Sequence, residues 1–176
     1  MIQKCNIWSV LGVFLDDPLP AEGMPLRWIS RKARLAHTSV KIHLNSLEKE
    51  GLVKKEDGRS FPVYRAVQES EKFRFYKKMD ILFRLVEETG LVEALWDKLS
   101  PTAIVLFGSA SRGEDVGGSD IDIFIGGREK RFDANKFEKP LARKISLHFG
   151  DFKRLPKELS NNIANGVVLA GYLEAF

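Results

Sequence analysis

The sequence predicts an α+β chain of two parts: a small, basic, mostly helical domain closed by a hairpin, then a small α/β domain on a mixed sheet of few strands. Three observations lead there. Apolar residues at helical spacing run through the first third, which ends in an Asp57-Gly58 turn between extended segments. Ala103 to Phe107 is an apolar run rich in branched residues and too short for a helix, so it reads as a buried strand. The stretch Gly108 to Ile125, GSASRGEDVGGSDIDIFI, then sets a Gly-rich loop and two aspartates before and within a second apolar run.

Taken in order, Ile7, Val10, Leu11 and Phe14 predict a first helix over residues 6 to 15, and Pro18, Pro20 and Gly23 interrupt it. Leu26 to Leu35 reads as a short basic helix carrying Arg27, Arg31, Lys32 and Arg34. Ala36-His37-Thr38 reads as a turn, with Thr38 a good N-cap. Val40, Leu44 and Leu47 form the buried stripe of a third helix ending near Gly51, with His43 packing at its edge. Ser39, Lys41, Ile42 and Asn45 lie on the opposite side. Leu52 to Glu56 and Phe61 to Val67 are the hairpin arms, with Arg59 at the tip. Residues 69 to 88 form a long amphipathic helix with Phe73, Tyr76, Met79, Ile81, Leu82 and Leu85 on its apolar side, ended by Gly90. It is a linker and a candidate homodimer surface. A helix over Leu91 to Leu99 stops before Pro101, another spans Asp133 to Arg143, and a strand covers Lys144 to Phe149. Pro156 to Leu173 reads as one closing helix, with Gly166, Ala170 and Gly171 allowing close packing. The domain boundaries are therefore 1–68, a linker helix at 69–90, and 91–176.

Composition bounds the function. With 176 residues and 44% apolar content, the chain has enough for one ordinary domain or two small ones. No run of about 18 apolar residues exists, so no membrane span is expected. The opening MIQKCNIWSVLGVFLDD lacks a small-residue cleavage site, and a cytoplasmic location is expected. The single cysteine, Cys5, excludes an intrachain disulfide and a Cys-based metal cluster, and it is expected to be a small buried apolar side chain. The three tryptophans, Trp8, Trp28 and Trp96, are expected in the core. Charge is uneven: residues 1–66 hold 11 basic and 7 acidic residues, whereas the rest hold 17 of each. The excess positive charge is N-terminal, which favours a polyanionic partner there.

The chemistry is concentrated in Gly108 to Ile125. Gly108 lets the backbone leave the strand tightly, and Ser109 stands where a short helix can begin and present free N–H groups to phosphate. Alternation puts Asp120 and Asp122 on one face of the next strand. Two carboxylates side by side repel unless a cation lies between them, and Mg²⁺ with substrate phosphates is the natural occupant. Arg112 is a candidate phosphate contact.

This stretch resembles the GS…G…SDxD signature of the DNA polymerase β-like nucleotidyltransferase superfamily, and most of all its minimal archaeal and bacterial members. The resemblance covers residues 91 to 176. It implies that Gly108, Ser109 and Ser119 bind the nucleoside triphosphate, and that Asp120 and Asp122 are the catalytic, metal-binding carboxylates. It also implies a third carboxylate on the following strand, where this sequence has Ser146, with His148 on the same face and Asp151 just beyond. The resemblance thus leaves two readings. One is transfer of a nucleoside monophosphate from an NTP, with Mg²⁺, to a protein, RNA or small-molecule hydroxyl. The other is a degenerate domain in a regulator. Minimal members often pair with a helical toxin-like protein, which makes an antitoxin-like role a third.

Thr38 to Leu44, followed by Leu47 to Val53, resembles the recognition helix and first wing strand of bacterial and archaeal winged helix-turn-helix regulators, over residues 5 to 67. That resemblance implies DNA as a partner, with Ser39, Lys41, Ile42 and Asn45 facing the major groove and Arg59 meeting the backbone or minor groove. The same fold also serves in protein docking.

Overall fold

The computed structural model describes residues 5–16 and 22–174. The predicted breaks at Pro18 and Pro20 lie outside the described residues. The chain divides into two compact units, residues 1–77 and 78–176.

The N-terminal unit has the order α1 (Asn6–Asp16), β1 (Met24–Pro25), α2 (Leu26–Ala33), α3 (His37–Lys49), β2 (Val53–Glu56) and β3 (Val63–Ala66). α1 and α3 bury the stripes that periodicity predicts, Val10, Leu11 and Phe14 from α1, with Ile7 partly buried, and Val40, Leu44 and Leu47 from α3; α2 adds Ile29 to the same core. β2 and β3 form an antiparallel hairpin in which Glu56 pairs with Val63, so the Asp57-Gly58 turn is part of a six-residue loop. β1, which the sequence did not suggest, pairs antiparallel with β3 to give the order β1-β3-β2.

Local details depart from expectation. Arg34 takes a left-handed conformation (φ 56°) and stops α2 at Ala33. The chain is redirected there, so α3 begins at His37 with Ala36 as its extended N-cap. His37 is thus helical rather than a turn residue, and Thr38 lies inside the helix rather than capping it. Cys5, just ahead of α1, is exposed, not buried.

α4 (Glu71–Phe83) carries Phe73 into the N-terminal core, and Ile81 farther along it packs in the second core. Met79 is exposed, as is Phe75, because the apolar residues of this helix do not all fall on one side. A single π-helical turn, Arg84–Glu88, follows, and Gly90 (φ 64°) ends it.

The C-terminal unit continues with α5 (Leu91–Leu99), β4 (Ala103–Phe107), α6 (Gly108–Arg112), β5 (Ile121–Gly126), α7 (Asn135–Leu141), β6 (Ile145–Gly150), a 3₁₀ turn (Phe152–Arg154), α8 (Lys157–Ala164) and β7 (Val167–Gly171). Its sheet has the order β6-β5-β4-β7, with β5 and β6 parallel and the other neighbours antiparallel. The sheet is mixed and small, as expected. β4 is buried along its whole length, which suits the central position its apolar run demands.

The single closing helix expected over Pro156 to Leu173 is corrected. The helix ends at Ala164, and Val167–Gly171 is a strand on β4. Two causes act together. Branched Val167 and Val168 favour extended backbone. Gly166 also lies so close to β4 that a Cβ would stand 2.4 Å from the Leu106 carbonyl oxygen. Trp96, expected in the core, is 40% exposed on α5.

Candidate functional site

The site begins with the way β4 ends. Gly108 adopts φ 73°, a left-handed conformation that glycine takes without strain, and starts the five-residue helix α6. A Cβ at this position would lie 2.7 Å from Asp122 Oδ2. The Gly-Ser turn and the second aspartate therefore form one continuous surface, which requires glycine on both conformational and steric grounds. Ser111, buried on α6, donates its hydroxyl to the Gly108 carbonyl at 2.8 Å and holds the turn closed.

Asp120 is exposed just ahead of β5, and Asp122 is half-buried within it. In the parallel register Asp122 pairs with Ser146 and Phe124 with His148. Side chains on this face meet diagonally. Ser146 Oγ donates to Asp120 Oδ2 at 3.1 Å, and His148 Nε2 lies 3.2 Å from Asp122 Oδ1. The His148 ring packs edge-on to Phe107, with centroids 5.1 Å apart, which fixes it beside the end of β4. The structure thus brings together Gly108, Asp120, Asp122, Ser146 and His148.

Other sequence candidates are placed elsewhere. Asp151 does not reach the aspartates: its carboxylate accepts from the Lys153 N–H at 3.1 Å and pairs with Arg154 at 3.3 Å. Arg112 is exposed and paired with Glu114 at 2.7 Å. Ser119 Oγ accepts from the Val116 N–H at 3.1 Å, a local turn bond within the Gly-rich loop.

Sequence reasoning missed Arg143. Its guanidinium donates to Asp115 Oδ2 at 2.6 Å, to the Ser119 carbonyl at 2.7 Å and to the Asp120 carbonyl at 3.0 Å. Both partners of the ion pair are largely buried, with side chains 13% and 7% exposed. One planar fork therefore pins the loop that delivers Asp120. A basic residue at the end of α7 gives no signal of this in the sequence, because its partners lie 23 to 28 residues earlier. Glu138 braces the start of β6 in a related way, accepting from Lys144 Nζ at 2.9 Å and the Ile145 N–H at 3.0 Å. These bonds, Lys144 first, hold its carboxyl below the usual range.

The donor set can be tested against the cations expected from the sequence. Two carboxylates, completed by phosphate oxygens and water, suit one Mg²⁺. A second ion on the acceptor side would need another anionic oxygen, and Ser146 supplies only a neutral hydroxyl. Among the described residues, no group of three or more His, Cys, Asp or Glu side chains could hold a metal ion. The residues fit a single cation carried with a triphosphate and do not fit a two-metal centre.

The C-terminal unit is a mixed α and β domain on a mixed sheet, consistent with a nucleotidyltransferase-like domain. Residues 90–172 match the family described as Polymerase beta, Nucleotidyltransferase, which supports the nucleotidyltransferase superfamily for this part of the chain. That superfamily generally uses an NTP and a divalent metal. No curated protein matches the chain. Among the described residues, no helix is long and apolar enough to cross a membrane.

For the N-terminal candidates, Lys41, Ile42 and Asn45 are exposed on α3 and Ser39 is half-buried. Ile42 is 64% exposed, unusual for an isoleucine on a helix whose other face is core. Arg59 is exposed in the β2–β3 loop. Lys54 and Arg65 both pair with Glu56, at 3.0 Å and 2.6 Å, which leaves Lys55 and Arg59 as exposed basic residues of the hairpin with no ion pair among the described residues.

Proposed function

We propose that residues 90–172 bind a nucleoside triphosphate and transfer its monophosphate to a hydroxyl of a protein, RNA or small molecule. The N-terminal unit would act as a winged helix-turn-helix that brings the site to DNA. The observation that carries the reading is the close approach of Gly108 to Asp122, which leaves no room for a Cβ, since one would lie 2.7 Å from the carboxylate. A triphosphate seated on the Gly108-Ser109 turn lies beside the carboxylates that would hold its cation, Asp120 and Asp122. When bound, that cation would neutralise the triphosphate and the charge that develops on departing pyrophosphate. The acceptor hydroxyl oxygen attacks the α-phosphorus and gives up its proton to solvent, the bond from that phosphorus to the bridging oxygen breaks, and pyrophosphate leaves. Arg143 holds the backbone of Asp120, and the Ser146 hydroxyl orients its carboxylate.

Incubation of the full chain with Mg²⁺, α-labelled ATP and candidate acceptors tests this. Label transfer that disappears in Asp120→Ala is expected. An unchanged signal in that variant would sink the assignment.

A second reading is favoured by Ser146 and His148, which already satisfy the two carboxylates with hydrogen bonds. In that reading the domain holds nucleotide without transferring it, and the protein is a DNA-binding regulator. ATP binding in calorimetry with no label transfer to any acceptor would select it. The exposed face of α3, with Lys41, Ile42 and Asn45, and Arg59 in the hairpin loop support DNA as the partner in both readings.

A further inference from the structure

The sequence places Phe61 at the start of the second hairpin arm. The structure leaves it in the β2–β3 loop, because β3 begins only at Val63, and the residue is 73% exposed. We infer that Phe61 is a wedge that enters the minor groove of a DNA duplex and partly unstacks a base step, so that the N-terminal unit selects deformable DNA. The inference rests on the DNA-binding role proposed above for this unit.

The loop from Asp57 to Pro62 folds tightly on itself. A Cβ on Gly58 would stand 2.4 Å from the Phe61 carbonyl oxygen and 3.0 Å from Val63 Cγ1, so the main chain of Phe61 is packed while its side chain is not. Pro62 confines Phe61 to extended backbone, since a following proline crowds out the helical region. Val63 then pairs with Glu56 and closes the hairpin. The ring therefore stands off a closed turn, apart from the core built on Phe14, Val40 and Leu44. No other large apolar side chain among the described residues is more exposed. A ring left in water forgoes the stabilisation that burial brings, so its position calls for a partner.

The neighbours of Phe61 choose that partner. Lys55 and Arg59, on the same hairpin, are exposed and make no ion pair among the described residues. The centre of a protein-docking patch is depleted of charge, whereas here a lone ring stands close in sequence to two unpaired cations. That combination matches minor-groove binding, in which basic side chains meet the groove and its phosphates while an inserted apolar residue such as Phe opens a base step and bends the duplex. Pyrimidine–purine steps such as TpA unstack easily, and A-tracts are stiff. Phe61 would thus add a preference for sequence through deformability, with no hydrogen bond to a base.

The experiment uses the full chain at low salt with two short duplexes of equal base composition, one with TpA steps and one built on A-tracts. Each carries 2-aminopurine, whose emission rises when its stack opens. The native chain is expected to prefer the TpA duplex by at least about threefold and to brighten it. Phe61→Ala should lose both effects while the slope of log affinity against log salt stays unchanged, because no phosphate contact is removed. Phe61→Trp should keep both. Arg59→Ala should do the reverse, lowering the slope and keeping the preference. Phe61→Ala should melt with the native chain, since the side chain it removes is exposed. A Phe61→Ala that prefers and brightens the TpA duplex as the native chain does overturns the wedge and leaves the DNA-binding role standing. Tighter binding to the corresponding single strand than to the duplex, lost in Phe61→Ala, overturns it in favour of stacking on unpaired bases. Absence of salt-sensitive binding to either duplex overturns the wedge together with the DNA-binding role.

Discussion

Two sets of basic residues, one in each unit, play opposite parts. In the C-terminal unit, Arg143 is bound to Asp115 and two carbonyls, Lys144 to Glu138, and Arg112 to Glu114. In the N-terminal unit, Arg27, Arg31, Lys41 and Arg59 are exposed and make no ion pair among the described residues. The even balance of 17 basic and 17 acidic residues after position 66, against 11 and 7 before it, has the same contrast built in. Charge that is paired becomes geometry: it holds a loop or a strand in place. Charge that is unpaired remains available to a partner.

The contrast can be broken, and the largest effect is expected at Arg143. Arg143→Met would leave the Asp115 carboxylate, 7% exposed, without its guanidinium, and breaking such a pair costs about 3–5 kcal/mol. A shifted urea midpoint, with ATP affinity lost in the fraction that remains folded, is the expected result. A native midpoint would mean that the pairing does not shape the site.

The unpaired charges should behave otherwise. Lys41→Ala and Arg59→Ala are each expected to lower the slope of log affinity for DNA against log salt by about 1, with stability within about 0.5 kcal/mol of native. Equal slopes in variant and native protein would remove these residues from any DNA surface.

The smallest effect is expected at Glu138. Its carboxyl is held below its ordinary value of 4.5, chiefly by Lys144 and then by the Ile145 N–H. A carboxyl lowered in the folded state stabilises above its unfolded pKa, and that contribution fades as pH falls through the folded value. Glu138→Gln should therefore melt below the native protein near pH 7, and the two should converge below pH 4.5. A constant difference across that range would assign the effect to packing rather than ionisation.

Much of this was legible in the residues because it is local. The turn at Gly108 and the shared face of Asp120 and Asp122 depend on a few adjacent positions, and the period of a strand is enough to place them. The helical stripes of α1 and α3 were legible for the same reason. What was not legible depends on distant partners. Val167 to Gly171 is extended because β4 lies beside it, and the two branched residues at its start are too short a signal to announce a strand by themselves. Arg143 reads as one more basic residue until its loop folds against it. Cys5 and Trp96 look like core by type, yet neither is covered in the fold.

The register of β5 and β6 has one more consequence. Asp122 and Ser146 are aligned through main-chain bonds, and those bonds do not read the side chain at position 146. The identity of that residue is uncoupled from the integrity of the sheet. A different side chain at 146 can therefore change the surroundings of the Asp120 carboxylate without breaking a single ladder bond.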